Sequence, residues 1–385
     1  MTLQRHYIRR GKNISFLARR GVILTLLLFT QVLFGIDYYE YDFRDRNNTY
    51  HARASFNPKS NKLQLNIFDN KWSVLPTHTQ NNCAYGGVYY DFYYNYESYK
   101  IGIFRQEEAL IYLNDGFIQT LYQSNNDFNT FLHKNNLNTQ ITDTKIEGYI
   151  NYYKLKGMYL QKVFQLNKEQ ALSAKLKLFI ADDGQEANIN GHNTQQRFVA
   201  NLNYYYRAKN YISKRTSSYT TSDGYGYSLD LEYIYNKEAL YIYAGLLNIG
   251  GIIYWDGISQ MYYNFDSQTV YLGDDGYNHR KAFGIGYYKD GVKHQQHLPI
   301  FYRASIDYQF LNFFSLGNNI SGYKDVIFNE PYVTIKLYNS RYKVGYMYEG
   351  KTAIFAAYFK YFKVEISNNF SFSQQIMQAK VHIWF

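Results

Sequence analysis

The chain has 385 residues, of which 46% are hydrophobic, 20% aromatic and 19% charged, and its formal net charge is +10. Charged residues make up about a quarter of an average domain, so charge is depleted here, while 46 Tyr and 27 Phe are a large excess of aromatic residues. The mean hydropathy of −0.47 argues against a helical membrane protein. The composition favours a β protein that meets both an apolar and an aqueous environment.

The first 35 residues are predicted to be a cleaved signal peptide. An apolar run from Val22 to Phe34 follows a basic start, and no acidic residue occurs before Asp37. This pattern is typical of Sec-dependent export, and the run is short for a membrane helix, which needs about 20 apolar residues. An uncleaved anchor is the alternative. Removing the six basic residues of the leader lowers the formal charge from +10 to +4, so we expect no nucleic-acid partner.

Cys83 is the single cysteine of the chain. An internal disulfide framework is therefore excluded. No cysteine comes directly after the apolar run, which disfavours a lipid-anchored protein. Without disulfide cross-links, the exported chain must be stabilised by its packing.

Beyond residue 36 the chain alternates between apolar and polar residues in short segments, interrupted by clusters of Asn, Asp, Gly, Ser and Lys. This is the pattern of β-strands joined by turns. The clearest segments are GGVYYDFYYNY (86–96), FVANLNYYYR (198–207), YSLDLEYIY (227–235), IFYRASIDYQF (300–310) and most of 333–385. Loops or loop-borne strands are predicted for the least regular parts, 106–144, 182–196, 208–224 and 264–281. Residues 36–83 are predicted to form either a plug or the first strands.

Two folds give strands with one apolar and one polar face. Strands of a soluble sandwich average about 5 to 6 residues, whereas strands of a transmembrane barrel run for about 9 to 11 residues and carry aromatic girdles. The long segments and their aromatic apolar face favour the barrel, and a closed sheet satisfies every backbone group in lipid. The predicted fold is all-β, a closed antiparallel transmembrane β-barrel of about 16 strands (roughly 14 to 18) over residues 36–385.

The last strand resembles the C-terminal signature of Gram-negative outer-membrane β-barrel proteins, which end in Phe with apolar residues at alternate positions before it. The matching residues are Phe385, Ile383, Val381, Ala379 and Met377. The resemblance implies a bacterial outer-membrane location, contact with outer-membrane lipid and lipopolysaccharide, and recognition of this strand by the barrel-assembly machinery. It covers the last strand only, and it leaves the oligomeric state open, a homo-oligomer included.

Enzymatic activity is not expected. Barrel phospholipases and lipid A deacylases resemble one another in needing His-x-Ser, and omptin-type proteases need Asp-x-His; the nine His of this chain form neither motif. The acidic pairs Asp182–Asp183 and Asp274–Asp275 lie in sequence typical of solvated loops, and no Glu completes an EF-hand. Divalent ions that bridge these loops to lipopolysaccharide, and a metal at His294 and His297, are the weaker alternatives. No cofactor and no metal are predicted.

Charged residues recur on the polar face of the strands, which in a barrel faces the lumen. The residues predicted to line a pore are Lys175, Lys177, Arg303, Lys336, Lys343, Lys360, Lys363 and Lys380, with the acids Asp91, Asp230, Glu232, Asp307 and Glu365. The excess of cations predicts a weak preference for anions; the alternative is that these charges balance as cross-strand pairs. Inward-facing tyrosines are candidates for an aromatic track, namely Tyr89, Tyr93, Tyr153 and Tyr205.

The favoured function is a passive, porin-like outer-membrane channel for small polar solutes, with anions as the candidate cargo. The first alternative is a transporter of hydrophobic compounds, because GLLNIGGIIYW (245–255) is similar to a segment of barrel families related to such transporters. It requires a constricted lumen, a plug in 37–83 and kinked strands, for which Gly250–Gly251 and Gly86–Gly87 are candidates. The second is a structural or adhesive barrel with a closed lumen and binding loops.

Overall fold

The computed structural model describes residues 48–57, 59–60, 82–117, 144–194, 198–207, 223–272, 278–337, 340–349, 352–359, 361–369 and 377–384. Seventeen β-strands in these ranges form one sheet. They are β1 Thr49–Phe56, β2 Lys59–Ser60, β3 Asn82–Tyr96, β4 Tyr99–Leu113, β5 Thr144–Gln165, β6 Gln170–Asn193, β7 Phe198–Tyr206, β8 Gly224–Lys237, β9 Leu240–Leu272, β10 Asn278–His297, β11 Phe301–Leu311, β12 Phe314–Tyr323, β13 Val326–Leu337, β14 Ser340–Met347, β15 Thr352–Tyr358, β16 Phe362–Asn369 and β17 Met377–Trp384. No helix in these ranges is long and apolar enough to cross a membrane.

The sheet closes on itself as an antiparallel barrel. Fourteen of the strands form the ring, in the order β1, β3, β4, β5, β6, β8, β9, β11, β12, β13, β14, β15, β16 and β17. β17 then pairs with β1, from His51 opposite Trp384 to Phe56 opposite Ala379. The predicted all-β closed barrel is confirmed, and the ring has the lowest strand number of the predicted range.

The two ends of the barrel differ in their connections. One end, called the turn end, carries the short connections 97–98, 166–169, 238–239 and 312–313, together with the start of β1 and the end of β17. At the opposite end, called the loop end, β2 and β4 end and β3 and β5 begin. Its described part also includes the tight turn at Lys324–Asp325 between β12 and β13.

Alternation along each ring strand separates an apolar outer face from a polar inner face. On β4 the outward side chains of Ile101 and Ile103 are each more than 60% exposed, whereas the inward Lys100 and Gln106 are buried. The same outward exposure holds for Met158, Leu176, Leu178, Ile306, Leu316, Val344, Phe355, Val381 and Ile383. Aliphatic and aromatic residues in this arrangement face lipid in a transmembrane barrel, while the inner face is available for polar chemistry.

Part of the sheet extends beyond the ring on one side of the loop end. This part, here called the extension, consists of β7, residues 185–193 of β6, residues 259–272 of β9 and the residues of β10 that pair with them. β7 pairs with 185–193 of β6 and with 259–266 of β9, and β10 pairs with β9 over its length. The apolar residues of β7 are buried against Met261 rather than turned to lipid. The segments 182–193 and 264–272, expected to be loops or loop-borne strands, therefore belong to strands of this extension. Residues 208–222 lie outside the described residues.

Two sequence expectations are corrected and a third is confirmed. Residues 106–113 are part of ring strand β4 rather than a loop, because they pair without a break with both β3 and β5. Gly250 has a φ of 59° beside a register shift between β8 and β9, so the predicted kink at Gly250–Gly251 is confirmed. The predicted kink at Gly86–Gly87 is wrong, since both residues pair regularly with β4. Gly87 has another constraint, because a Cβ there would lie 2.8 Å from Glu108 Cγ.

We expect Leu176→Arg to lower the free energy of unfolding by about 2 to 4 kcal/mol, because a guanidinium at the middle of the lipid-facing surface is poorly solvated. Leu176 lies on the outer face of ring strand β6. The matched control is Ile285→Arg on β10, which is exposed but lies outside the ring and should leave stability nearly unchanged. Urea unfolding in lipid vesicles measures both, and equal losses would contradict the assignment of the lipid-facing surface.

Candidate functional site

The inner face of the ring encloses a cavity of about 250 Å³. Its lining comes from β1, β2, β3, β4, β5, β6, β8, β9, β11, β16 and β17, so it lies inside the barrel rather than on its surface. Eight cations line it, namely Arg53, Lys59, Lys100, Lys175, Lys177, Arg303, Lys363 and Lys380. Three carboxylates line it, namely Glu108, Asp230 and Glu232.

The carboxylates of the lumen are held by fixed donors. Asp91 accepts hydrogen bonds from Arg53 Nε at 2.9 Å and Arg53 Nη2 at 2.5 Å, and from the hydroxyl of Tyr159 at 3.1 Å. Glu108 accepts from the hydroxyls of Tyr85, at 2.5 Å, and Tyr153. Because tyrosine donors carry no charge, Glu108 is satisfied without consuming a cation of the lining.

A buried ion pair lies between β6 and β8. Lys177 Nζ is 3.0 Å from Asp230 Oδ1, and both side chains are almost fully buried. Asn248 completes the group, since its backbone N–H donates to Asp230 at 2.9 Å and its side-chain oxygen accepts from Lys177 at 3.0 Å. Asn248 has a φ of 61°, so the kink in β9 is what turns its backbone toward Asp230. Lys175, one pleat away, lies with Nζ 5.1 Å from the Tyr159 ring centroid.

The seam between β16, β17 and β1 contributes Lys363 and Lys380 to the cavity lining. Glu365 is buried between Lys380, at 2.6 Å, and Lys363, at 3.4 Å. Beside them His51 Nδ1 and His382 Nε2 are 3.1 Å apart, which joins β1 to β17 through their side chains. These side-chain contacts join the closing strands β17 and β1 on the lumen side, in addition to the backbone pairing of the two strands.

A second polar network fills the barrel between β11 and β14, away from the cavity. Buried Lys343 donates to Glu330 at 2.6 Å, and Arg341 donates to Asp307 at 3.0 Å. Lys336 lines a small pocket with Arg341 and Asp307 at the turn end. These residues point inward, but they pair with one another and do not line the cavity.

The predicted site residues are thus placed in three groups. The cavity lining includes Lys175, Lys177, Arg303, Lys363, Lys380, Asp230 and Glu232. Asp91 and Glu365 lie behind it as acceptors, and Lys336, Lys343 and Asp307 belong to the network by β13. Lys360 and Phe385 lie outside the described residues. Whether the inward residues line a conducting pore stays a prediction.

Sequence reasoning missed four charged residues of the lining, namely Arg53, Lys59, Lys100 and Glu108. The alternation of HARASF places Arg53 on the same face as His51 and Ser55, so the sequence pattern alone could have predicted that Arg53 faces inward. Lys100 follows the tight turn Glu97–Ser98, where Glu97 has a φ of 51°. Lys59 is in the two-residue strand β2, which no periodicity could reveal.

The tyrosine track has two members at the cavity. Tyr89 and Tyr93 line it, but Tyr153 is fully buried beside Glu108. Tyr205 is in the extension, where its ring stacks on His294 with centroids 3.7 Å apart. Among the described residues no group of three or more His, Cys, Asp or Glu side chains is arranged to hold a metal ion.

The loop end of the lumen is closed by side chains from opposite walls, here called the apolar seal. One buried cluster joins β3 and β4 to β12–β15, strands that are far apart in the ring, and consists of Cys83, Leu110, Tyr112, Tyr323, Val326, Phe328, Met347 and Ile354. The β12–β13 turn continues it, since Lys324 Nζ lies 4.4 Å from the Tyr112 ring centroid. Contact across the lumen means that this end is constricted in the structure.

A second cluster completes the apolar seal on the side of the extension. It comprises Tyr153, Leu155, Phe179, Ala181, Ile253, Trp255, Ile258 and Leu298, with neighbouring aromatic residues of β3–β5. Gln296, at the end of β10, donates to the side-chain oxygen of Asn151 at 2.9 Å and accepts from Trp255 Nε1 at 3.0 Å. This glutamine fixes the end of β10 against β5, where it covers the lumen.

We expect Asp230→Asn to destabilise the protein by about 3 to 5 kcal/mol, because it leaves the buried Lys177 ammonium without its counter-charge. Adding Lys177→Met should recover most of the loss. The matched control is Glu169→Gln, which removes an exposed partner of Lys237 and should change stability little. Chemical unfolding of the wild type and these three variants measures this, and an Asp230→Asn protein as stable as the wild type would contradict the buried pair.

Cys83 reports on the apolar seal, because its thiol is fully buried within it. We expect a charged thiol reagent to label the wild-type protein slowly and Phe328→Ala at least about tenfold faster, since deleting the ring leaves a gap in the cluster. The matched control is Phe355→Ala on the lipid-facing side of β15, which should label like the wild type. Equal labelling of Phe328→Ala and the control would contradict the seal.

Comparison with known proteins gives similarity of fold at low identity. No model of a known protein family matches the chain, and no curated protein matches it. Among solved structures, a TodX deltaS2S3 mutant monoaromatic hydrocarbon channel is similar with a TM-score of 0.39 and 8% identity, covering 88% of this chain and 90% of that one. The P. putida toluene transporter TodX has a TM-score of 0.34 and 9% identity, covering 89% of each chain. The siderophore receptor PirA from Pseudomonas aeruginosa has a TM-score of 0.20 and 7% identity, covering 89% of this chain and 81% of that one.

Proposed function

We propose that the protein is a bacterial outer-membrane channel for small polar solutes, with a preference for anions. A closed barrel with a lipid-facing outer surface supports the membrane location. The strands are joined by two to four residues at the turn end and by longer stretches of sequence at the other, as at the periplasmic and extracellular ends of outer-membrane barrels, so in this proposal the turn end is periplasmic and the loop end extracellular. In the same proposal the assembly machinery reads β17, with Val381 and Ile383 turned outward.

The observation that carries the proposal is the charge of the cavity. Eight cations and three carboxylates line it. The two acids behind the lining, Asp91 and Glu365, pair with Arg53 and with Lys363 and Lys380, so eight cations against five acids leave a formal excess of three positive charges among the described residues. An excess of cations in a low-dielectric wall raises the local concentration of anions. The alternative that these charges simply balance requires an equal number of acids, which the described lining lacks.

The apolar seal defines how such a channel operates. In the structure the seal separates the cavity from the loop end, so passage requires the side chains of Tyr112, Phe328 and their neighbours to move. A constricted lumen and a kinked β9 were the features expected of a transporter of hydrophobic compounds. The charged lining argues against that cargo, because an apolar solute would have to desolvate ammonium and guanidinium groups to cross the cavity.

We expect anion preference in planar bilayers, measured as the reversal potential in a tenfold KCl gradient. Lys175→Gln should lower the chloride-to-potassium permeability ratio by about two- to threefold, because it removes one charge from the lining. The matched control is Lys156→Gln, which removes a lysine from the outer wall of neighbouring β5 and should leave the ratio unchanged. Each measurement is repeated in the Phe328→Ala background, so that a closed seal cannot hide the selectivity.

Cation preference in both backgrounds would overturn the proposed anion channel. Absence of any conductance in both would favour the structural or adhesive barrel. Uptake of an uncharged hydrocarbon that Lys175→Gln does not alter would favour the transporter of hydrophobic compounds.

A further inference from the structure

The part of the cavity next to the apolar seal combines ring surfaces with cations. The lining residues with apolar surfaces are Tyr85, Tyr89, Tyr93, Phe301 and Leu247. Tyr93 lies farther toward the turn end, with the His51 imidazole stacked on it at a centroid distance of 4.5 Å. The rings of Tyr85 and Phe301 are half-buried, and they present aromatic rather than aliphatic surface to a solute in the cavity.

Tyr85 and Phe301 form one corner of the cavity although their strands, β3 and β11, are not neighbours in the ring. Their ring centroids are 4.6 Å apart and the planes are inclined at 56°. The Tyr85 hydroxyl donates to Glu108 at 2.5 Å, which fixes the orientation of its ring. Two fixed rings at this angle leave faces and edges against which a third aromatic ring can pack.

Two cations line the same corner. Lys59 Nζ donates to Ser321 Oγ at 2.8 Å, and Ser321 is the direct cross-strand partner of Arg303. A small side pocket of about 20 Å³ joins the cavity here and shares Lys59, Arg303, Tyr85 and Phe301 with it. Glu108, a carboxylate on this side of the cavity, accepts hydrogen bonds from tyrosine hydroxyls. Among the described residues of this corner, two cations and one carboxylate give a formal charge of +1, which suits a monoanion.

We propose that this corner binds a carboxylate anion that carries an aromatic ring. The ring packs on Tyr85 and Phe301, and the carboxylate is oriented by Arg303 and Lys59, since the guanidinium fork of arginine matches a carboxylate. The inference rests on the proposed function for its route into the cavity and deepens it by naming the solute class. The binding itself is a separate property that does not depend on conduction.

The test is calorimetric titration of the detergent-solubilised full-length protein with benzoate, cyclohexanecarboxylate, acetate and toluene. Benzoate should bind roughly fivefold more tightly than cyclohexanecarboxylate, because the two anions differ mainly in the aromatic character of the ring. Acetate lacks the ring and toluene lacks the charge, so both should bind more weakly than benzoate. The titrations are repeated with Ile354→Ala, which loosens the apolar seal at a residue that lines neither the cavity nor its side pocket.

Four variants separate the two parts of the corner. Phe301→Leu should abolish the advantage of benzoate over cyclohexanecarboxylate, and Arg303→Gln should weaken both anions together. Tyr85→Phe keeps the ring and should keep the preference for benzoate. The matched control, Tyr90→Leu, removes a tyrosine from the outward face of the same strand and should change neither affinity.

Each outcome decides the inference independently of the channel. Equal affinity for benzoate and cyclohexanecarboxylate, or no benzoate binding in either background, overturns it even if bilayers show anion selectivity. Benzoate binding that depends on Phe301 and Arg303 supports it even if the reversal potential shows no anion selectivity, in which case the proposed channel fails alone. Toluene binding as tight as benzoate overturns the role of the cations.

Discussion

Pairing of every backbone N–H and C=O in lipid is the constraint on which the rest of the structure depends. It requires the sheet to close, and β17 closes it by pairing with β1 over six residue pairs, from His51–Trp384 to Phe56–Ala379. Once the sheet is closed, period-two alternation sends one face of every strand to lipid and the other to the lumen. The apolar face needs no further interactions, because it contacts lipid. On the polar face each buried charge needs a partner, because the lumen is narrow and has a low dielectric constant.

In the lumen, the buried carboxylates are stabilised by hydrogen-bond donors held in fixed positions. Buried acids receive guanidinium, ammonium or tyrosine hydroxyl donors, as Asp91 does from Arg53 and Tyr159. Because the hydroxyl of Tyr153 serves Glu108 without adding charge, acids are satisfied while cations remain in excess at the cavity. Tyrosine therefore occurs in two structural settings: outward-facing residues such as Tyr90 on the outer face, and neutral donors within the lumen.

The sequence alone was sufficient to predict the barrel class and the inward face, because both follow from period two and are read strand by strand. Lys177, Arg303 and Lys363 lie inward as their alternation predicts. Residues 106–113 of β4 were predicted to be a loop, because Gln106, Glu107 and Glu108 are typical of a solvated segment. Two of these three residues, Gln106 and Glu108, face the lumen. The contacts of the apolar seal were beyond prediction. They join β3 and β4 to β12–β15 across the ring, and no local pattern specifies which strands meet across a lumen.

Asn248 links the charged cavity to the apolar seal. Its position at the kink of β9 lets its backbone N–H reach Asp230 while its side-chain oxygen accepts from Lys177. Its amide nitrogen also donates to the carbonyl of Pro299 at 3.2 Å, and the preceding residue, Leu298, packs in the seal and donates its N–H to Gly251. Asn248 therefore contacts both the Lys177–Asp230 pair and the segment between β10 and β11. The positive φ at Asn248 places this one residue between the charged cavity and the segment that carries Leu298 of the apolar seal.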